Sequence, residues 1–193
     1  MNPRLNRLKA DYQKMQELVS RSKLIQIIQT EGSPPEKYII LLKCRGIVGL
    51  DNNEKPVFGS SHQLGIHLHQ DYPRKGPVFQ MLTPVFHPNI NANGAICIGD
   101  EGDHGFAPNM GLDDLIVNIM HIIRYENFGI DKPFNMVAAS WARKNSPFFP
   151  LETTQIITEE YFDINILGDL SNNENINITI DDGEADSFNI QIS

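Results

Sequence analysis

His87-Pro88-Asn89-Ile90-Asn91-Ala92-Asn93-Gly94-Ala95-Ile96-Cys97 places an imidazole, a carboxamide and a thiol on one short stretch, the thiol ten positions after the histidine. A thiol that carries an acyl group as a thioester loses it to an amine through an oxyanion, and that oxyanion needs a hydrogen-bond donor. The Asn89 carboxamide has the chemistry of such a donor. Pro88 fixes its own φ and restricts His87, so the turn is rigid. Each residue also has a plainer reading. A cysteine between Ile96 and Ile98 has the pattern of a packed core thiol. Asn89 is a favoured turn residue. His87 is either a base for the thiol or a structural imidazole, and the proline that follows favours the structural role. Cys97 stands apart because it lies in an irregular stretch, is flanked by Gly94 and Gly99, and closely follows Asn89.

That stretch sits inside residues 86–111, where Gly, Asn, Asp and Pro interrupt every period. A long loop within a compact domain is functional or disordered. Upstream, Leu5, Leu8, Tyr12, Met15, Leu18 and Val19 recur at three and four and predict an amphipathic helix over about residues 3–20. Its other side carries Arg4, Arg7, Lys9, Lys14 and Arg21, either a solvated face or a docking surface. Residues 24–29, 38–44, 64–68 and 78–82 read as four strands, with a turn at 31–35 and a loop over 49–61. Downstream, Leu112, Leu115, Ile116, Ile119, Ile122 and Ile123 predict a helix over 112–125. Pro133 can open another at its first turn, with Met136, Val137 and Trp141 as its apolar face. The fold class expected is α+β: an N-terminal helix, a four-stranded antiparallel meander, a long active-site loop and C-terminal helices.

Length predicts one domain over residues 1–150 and an extension over 151–193. The extension holds ten acids and no Lys or Arg, whereas residues 1–150 hold fourteen acids and sixteen bases, so the net −8 belongs to the tail. Within it, Ile176–Ile180 and Phe188–Ile192 alternate with period two around Asp181-Asp182-Gly183, the pattern of a β-ribbon or of an acidic segment that orders on a partner. No basic stripe interleaved with aromatics points to nucleic acid, and no apolar run reaches the roughly 20 residues of a membrane span. The N-terminus lacks the apolar region of a secretory signal, and the two cysteines, Cys44 and Cys97, do not make a disulfide framework; a cytoplasmic protein is expected. Cys44 falls in a strand and reads as core. His67 and His69 share a strand face but lack a second ligand pair, so no metal is expected. Asp100, Asp103, His104 and Asp131 are polar groups near the loop or just past the long helix, one of which could orient an incoming amine.

Taken together, these residues resemble the ubiquitin-conjugating enzymes, whose hallmark is His-Pro-Asn followed about ten residues after the His by the active-site Cys. Tyr72-Pro73-Arg74-Lys75-Gly76-Pro77 is similar to the family's Tyr-Pro-x-x-x-Pro, and Phe106-Ala107-Pro108 to its Trp-Ser-Pro. The resemblance covers about residues 1–145 and implies a UBC-like fold. It also implies roles. Cys97 accepts a ubiquitin-like modifier as a thioester from an activating enzyme. Asn89 stabilises the oxyanion when a target lysine attacks, and His87 braces the loop. Arg4, Arg7 and Lys9 contact the activating enzyme. No metal or organic cofactor is implied, ATP being used upstream. The family's gating acid sits directly before the proline of the next helix; that position is Lys132 here, and the acid carried over is Asp131, one residue earlier. Arg74-Lys75 replace an aromatic that docks ligases, and Asn109 and Met110 replace the usual residues after Ser-Pro, so the ligase stays open. Such divergence fits a bacterial ubiquitin-like pathway of the kind used in antiviral defence. Two other readings stand beside this one: a non-catalytic binding module of the same fold, and an unrelated cysteine hydrolase, for which the chain shows no signature.

Overall fold

The computed structural model describes residues 2–99 and 106–158. Helix α1 spans Pro3–Arg21; the Asn2 side chain accepts from the Arg4 N–H at 3.1 Å, and Pro3 supplies a preformed first turn. Strands β1 (Ile25–Gly32), β2 (Pro35–Leu42), β5 (His62–His67) and β6 (Val78–Met81) form one antiparallel sheet in the order β1-β2-β5-β6. This is the expected meander. Period-two alternation puts Tyr38, Ile40 and Leu42, then Leu64 and Ile66, then Phe79 and Met81 on the buried face. Onto that face pack Leu8, Met15 and Leu18 of α1 and the apolar stripe of α2 (Leu112–Ile123), from Leu112 to Ile123. The β1–β2 turn passes through Gly32 at φ +103°, where an added Cβ would lie 3.0 Å from the Pro34 carbonyl oxygen.

Three local expectations are corrected. The apolar face of α1 is not 5-8-12-15. Leu5 and Tyr12 are exposed, and the buried row is Leu8, Asp11, Met15 and Leu18. Asp11, 1% exposed, is admitted because the Tyr72 hydroxyl donates to it at 2.6 Å and Arg7 Nε at 2.8 Å. The 49–61 loop is largely a second hairpin, β3 (Gly46–Leu50) with β4 (Pro56–Gly59). Its Asp51-Asn52-Asn53-Glu54 turn reads as loop because Asp51 Oδ1 accepts from the Asn53 and Lys55 N–H groups, an Asx turn rather than an open coil.

Helix α3 runs Met136–Ala142, capped by Asn135 accepting from the Ala138 N–H at 3.0 Å, so Pro133 lies ahead of the helix rather than in its first turn. Met136 and Val137 are 69% and 68% exposed; the face that packs is Ala138, Ala139, Trp141 and Ala142. Small alanines allow close approach where the bulkier residues would not fit. Trp141 Nε1–H donates to the Glu54 carbonyl at 3.0 Å, closing a second small core with Ile47 and Tyr125.

Residues 151–158 lie along the ends of α1 and α2. Glu152 pairs with Arg124 at 3.3 Å and accepts from the Arg45 N–H, and the Thr158 N–H donates to the Arg21 carbonyl. The alternating segments at 176–180 and 188–192 fall outside the described residues, as do Asp100, Asp103 and His104. Among the described residues no helix is long and apolar enough to cross a membrane.

Candidate active site

The candidate loop leaves β6 and folds back against it. Asn91 Oδ1 accepts from the N–H groups of Asn93 and Ala95, and its own N–H donates to the Ala95 carbonyl, making a tight turn. Gly94 sits at φ +82°, with its carbonyl taking the Met81 N–H at 2.8 Å. A Cβ on Gly94 would stand 2.3 Å from the Met81 carbonyl oxygen, a backbone clash that no rotamer relieves. Gly94→Ala is therefore expected to cost about 2 kcal/mol or more in a urea melt, combining a left-handed penalty with a displaced loop. An unchanged midpoint would mean that the turn re-forms with its neighbour moved.

The turn returns Cys97 to Asn89. The Cys97 N–H donates to the Asn89 carbonyl at 2.9 Å, and the Asn89 side chain Nδ2 donates back to the Cys97 carbonyl at 3.1 Å. Asn89 Oδ1 accepts from the Gly129 N–H at 2.9 Å. The Cys97 thiol donates to the Gly99 carbonyl at 3.2 Å and is 8% exposed. One carboxamide thus touches both the cysteine backbone and the segment after α2.

His87 is fully buried. Its Nδ1 accepts from the Asn89 N–H at 3.0 Å, and the Tyr125 ring stands edge-on with centroids 4.4 Å apart. Burial pulls its pKa down to about 3, so the ring is neutral at physiological pH and far too weak a base to deprotonate a thiol there. Its acceptor lone pair is already spent on the loop. Tyr125, at φ +60°, ends the preceding turn and donates its hydroxyl to the Phe86 carbonyl at 2.7 Å, holding the entry to His87-Pro88.

Asp131 is exposed. The segment carrying it is fastened at both ends to the same loop: Gly129 to Asn89, and the Asn135 N–H to the Pro88 carbonyl at 3.0 Å. Arg143 holds its middle through the Ile130 carbonyl. Cys97, Asn89 and His87 are therefore contiguous, and Asp131 lies on a strap tied to them.

Of the five basic residues of α1, the three that the resemblance assigns to the activating enzyme, Arg4, Arg7 and Lys9, are not equivalent. Arg4 donates to Glu36 and to the carbonyls of Leu68 and His69. Arg7 binds Asp11 and the carbonyls of Pro108 and Met110, and stacks on Tyr72. Lys9 is exposed. Cys44 is buried, and burial pushes its thiol up to about 12, leaving it protonated and inert. His69 uses both ring nitrogens within its own loop, toward the Gly76 carbonyl and the Asp71 N–H. The sequence reading missed Gly129 and Tyr125, for which no local signal exists. It also missed Asn118, whose placement within the apolar run 115–120 of α2 is a signal.

The family model for ubiquitin-conjugating enzymes matches residues 43–156, more than half of the chain. Among curated proteins, "Ubiquitin-conjugating enzyme E2 3" of Arabidopsis thaliana is 28% identical over 108 residues, 56% of this chain and 70% of that one. "Ubiquitin-conjugating enzyme E2 1" of Caenorhabditis elegans is 23% identical over 159 residues, 82% of this chain and 76% of that one. A solved structure described as "Novel Ubiquitin-Conjugating Enzyme" superposes with a TM-score of 0.53 at 22% identity, covering 73% of this chain and 86% of its own, a likeness of fold.

Proposed function

The chain belongs to the ubiquitin-conjugating enzyme family, and on that premise we propose that Cys97 carries ubiquitin or a ubiquitin-like protein as a thioester and passes it to a lysine. In the first step the Cys97 thiolate attacks the carbonyl carbon of the modifier's thioester on the activating enzyme. The new C–S bond forms, and the activating enzyme's sulfur leaves as thiolate. In the second step a neutral lysine Nζ attacks the Cys97 thioester, an oxyanion forms, and collapse expels the Cys97 thiolate and leaves an amide. The lysine proton passes to solvent or to an exposed carboxylate, for which Asp131 is the candidate.

The observation that carries this reading is the Asn89 carboxamide, anchored at Oδ1 by Gly129 while Nδ2 rests on the Cys97 carbonyl. With Oδ1 held, a change of one partner turns the donor toward the thioester oxygen. His87 is given the part of a brace, since its nitrogen is committed to the Asn89 backbone. Partners follow from the chemistry: an activating enzyme, the modifier and a target amine. Of Arg4, Arg7 and Lys9, Lys9 is the exposed one and is offered to the activating enzyme; residues 1–150 are proposed as the catalytic domain and the acidic 151–193 as an extension to it.

The test is a charging assay with an activating enzyme, ATP and candidate modifiers, resolved without reductant. A reductant-sensitive adduct that disappears completely in Cys97→Ala is expected. No adduct with an activating enzyme known to be competent would leave the chain as a binding module of this fold.

A further inference from the structure

Two successive carbonyls, those of Cys97 and Ile98, are each held by a carboxamide from a different element. Asn89 takes the first at 3.1 Å; Asn118, in the middle of α2, takes the second through Nδ2 at 3.2 Å. Asn118 does not choose its orientation alone. Asn127 Nδ2 donates to Asn118 Oδ1 at 2.8 Å, which leaves only the amino end of Asn118 facing Ile98. Asn127 is set in turn by its own N–H, which donates to the His121 carbonyl at the end of α2. A mid-helix Asn is a poor helix former, and here its side chain leaves the helix to serve another backbone.

We infer that Asn118 is a positioning residue for Cys97, the α2 half of a two-sided clamp whose other half is Asn89, with Asn127 setting its direction. The inference rests on the proposed transfer reaction for its consequence but not for its geometry. Asn118 touches neither substrate nor sulfur. It fixes the Ile98–Gly99 peptide, next to the Gly99 carbonyl that accepts the hydrogen bond of the Cys97 thiol. Small displacements of a reacting atom lower the rate far more than they lower affinity.

Two variants test it. Asn118→Asp keeps the acceptor for Asn127 and loses the donor to Ile98. Asn127→Ala, at an exposed position, frees the Asn118 carboxamide to turn. Each is first read in the uncharged protein by iodoacetamide at one pH, with Cys97 and Cys44 followed separately by peptide mass spectrometry. Cys44 is buried outside the loop and reports global opening. The expected result is faster alkylation of Cys97 by severalfold in both variants, with Cys44 unchanged. In charged protein the same variants are expected to lower kcat for discharge to free lysine by about 10-fold while KM for lysine holds. An unchanged Cys97 rate in both variants, or Cys97 and Cys44 rising together, overturns the clamp. Selective Cys97 labelling in a chain that forms no adduct upholds the clamp and removes the transfer reaction instead.

Discussion

Asn89→Ala is expected to load the modifier on Cys97 as readily as the unaltered protein and to discharge it to lysine about 10²-fold more slowly. Loading exchanges one thioester for another between two good thiolate nucleophiles and leaving groups, so its oxyanion asks less of a donor. Discharge puts a negative charge on the thioester oxygen, where a missing donor costs most. The structure adds a complication that makes one variant insufficient. Asn89 also holds Gly129 and the Cys97 carbonyl, so the alanine removes a loop fastening together with the donor and should lower stability by about 1–2 kcal/mol. Asn89→Asp separates the two. Its carboxylate still accepts from the Gly129 N–H but donates nothing when ionised. If donation matters, both variants are slow in a single-turnover discharge assay. If only the strap matters, the aspartate discharges at close to the normal rate. Unaltered rates in both would take Asn89 out of the mechanism.

The second large effect is a loss of stability in mild acid, above the range where carboxylates titrate. His87 is held neutral by burial, with its pKa pulled down to about 3, whereas the imidazole of an unfolded chain titrates near about 6.5. Between those values the unfolded state binds a proton that the native state refuses. Stability is therefore full above about pH 6.5 and falls as pH drops toward 3, by about 1.4 kcal/mol per pH unit for one histidine. From pH 6.5 to 5 that is about 2 kcal/mol. His62, also fully buried and shifted down by desolvation, acts in the same direction. Urea midpoints from pH 7.5 to 5 should show this slope, and His87→Gln should reduce it by one proton's worth. A flat profile over that window would show that His87 titrates as an exposed imidazole. In the folded chain His87 stays neutral over this window and keeps the bond from the Asn89 N–H, so the brace is lost only with the fold.

The HPN-to-Cys spacing, the four strands and the two long helices were all legible in the chain, because each is written in local chemistry: period two, period 3.6, proline and glycine positions. The same holds for the thiol and the carboxamide, whose order and separation define the loop. What periodicity could not assign was any position whose environment comes from elsewhere in the chain. Asp11 sits where an apolar residue was expected because Tyr72, some sixty positions away, satisfies it. Met136 and Val137 lost the buried face of α3 to three alanines and Trp141, whose indole reaches the Glu54 carbonyl. Arg4 and Arg7 read as part of a basic side, either solvated or a docking surface, and they also donate to carbonyls of distant loops. In the same way the Asn89 carboxamide is held by the Gly129 N–H, forty residues downstream, and Asn118 reaches the Ile98 carbonyl from α2. Sequence alone determined which chemistry is present and on which element it lies. Only the tertiary structure decided which polar groups are buried, since burial of a charge or an amide depends on partners that no local window contains.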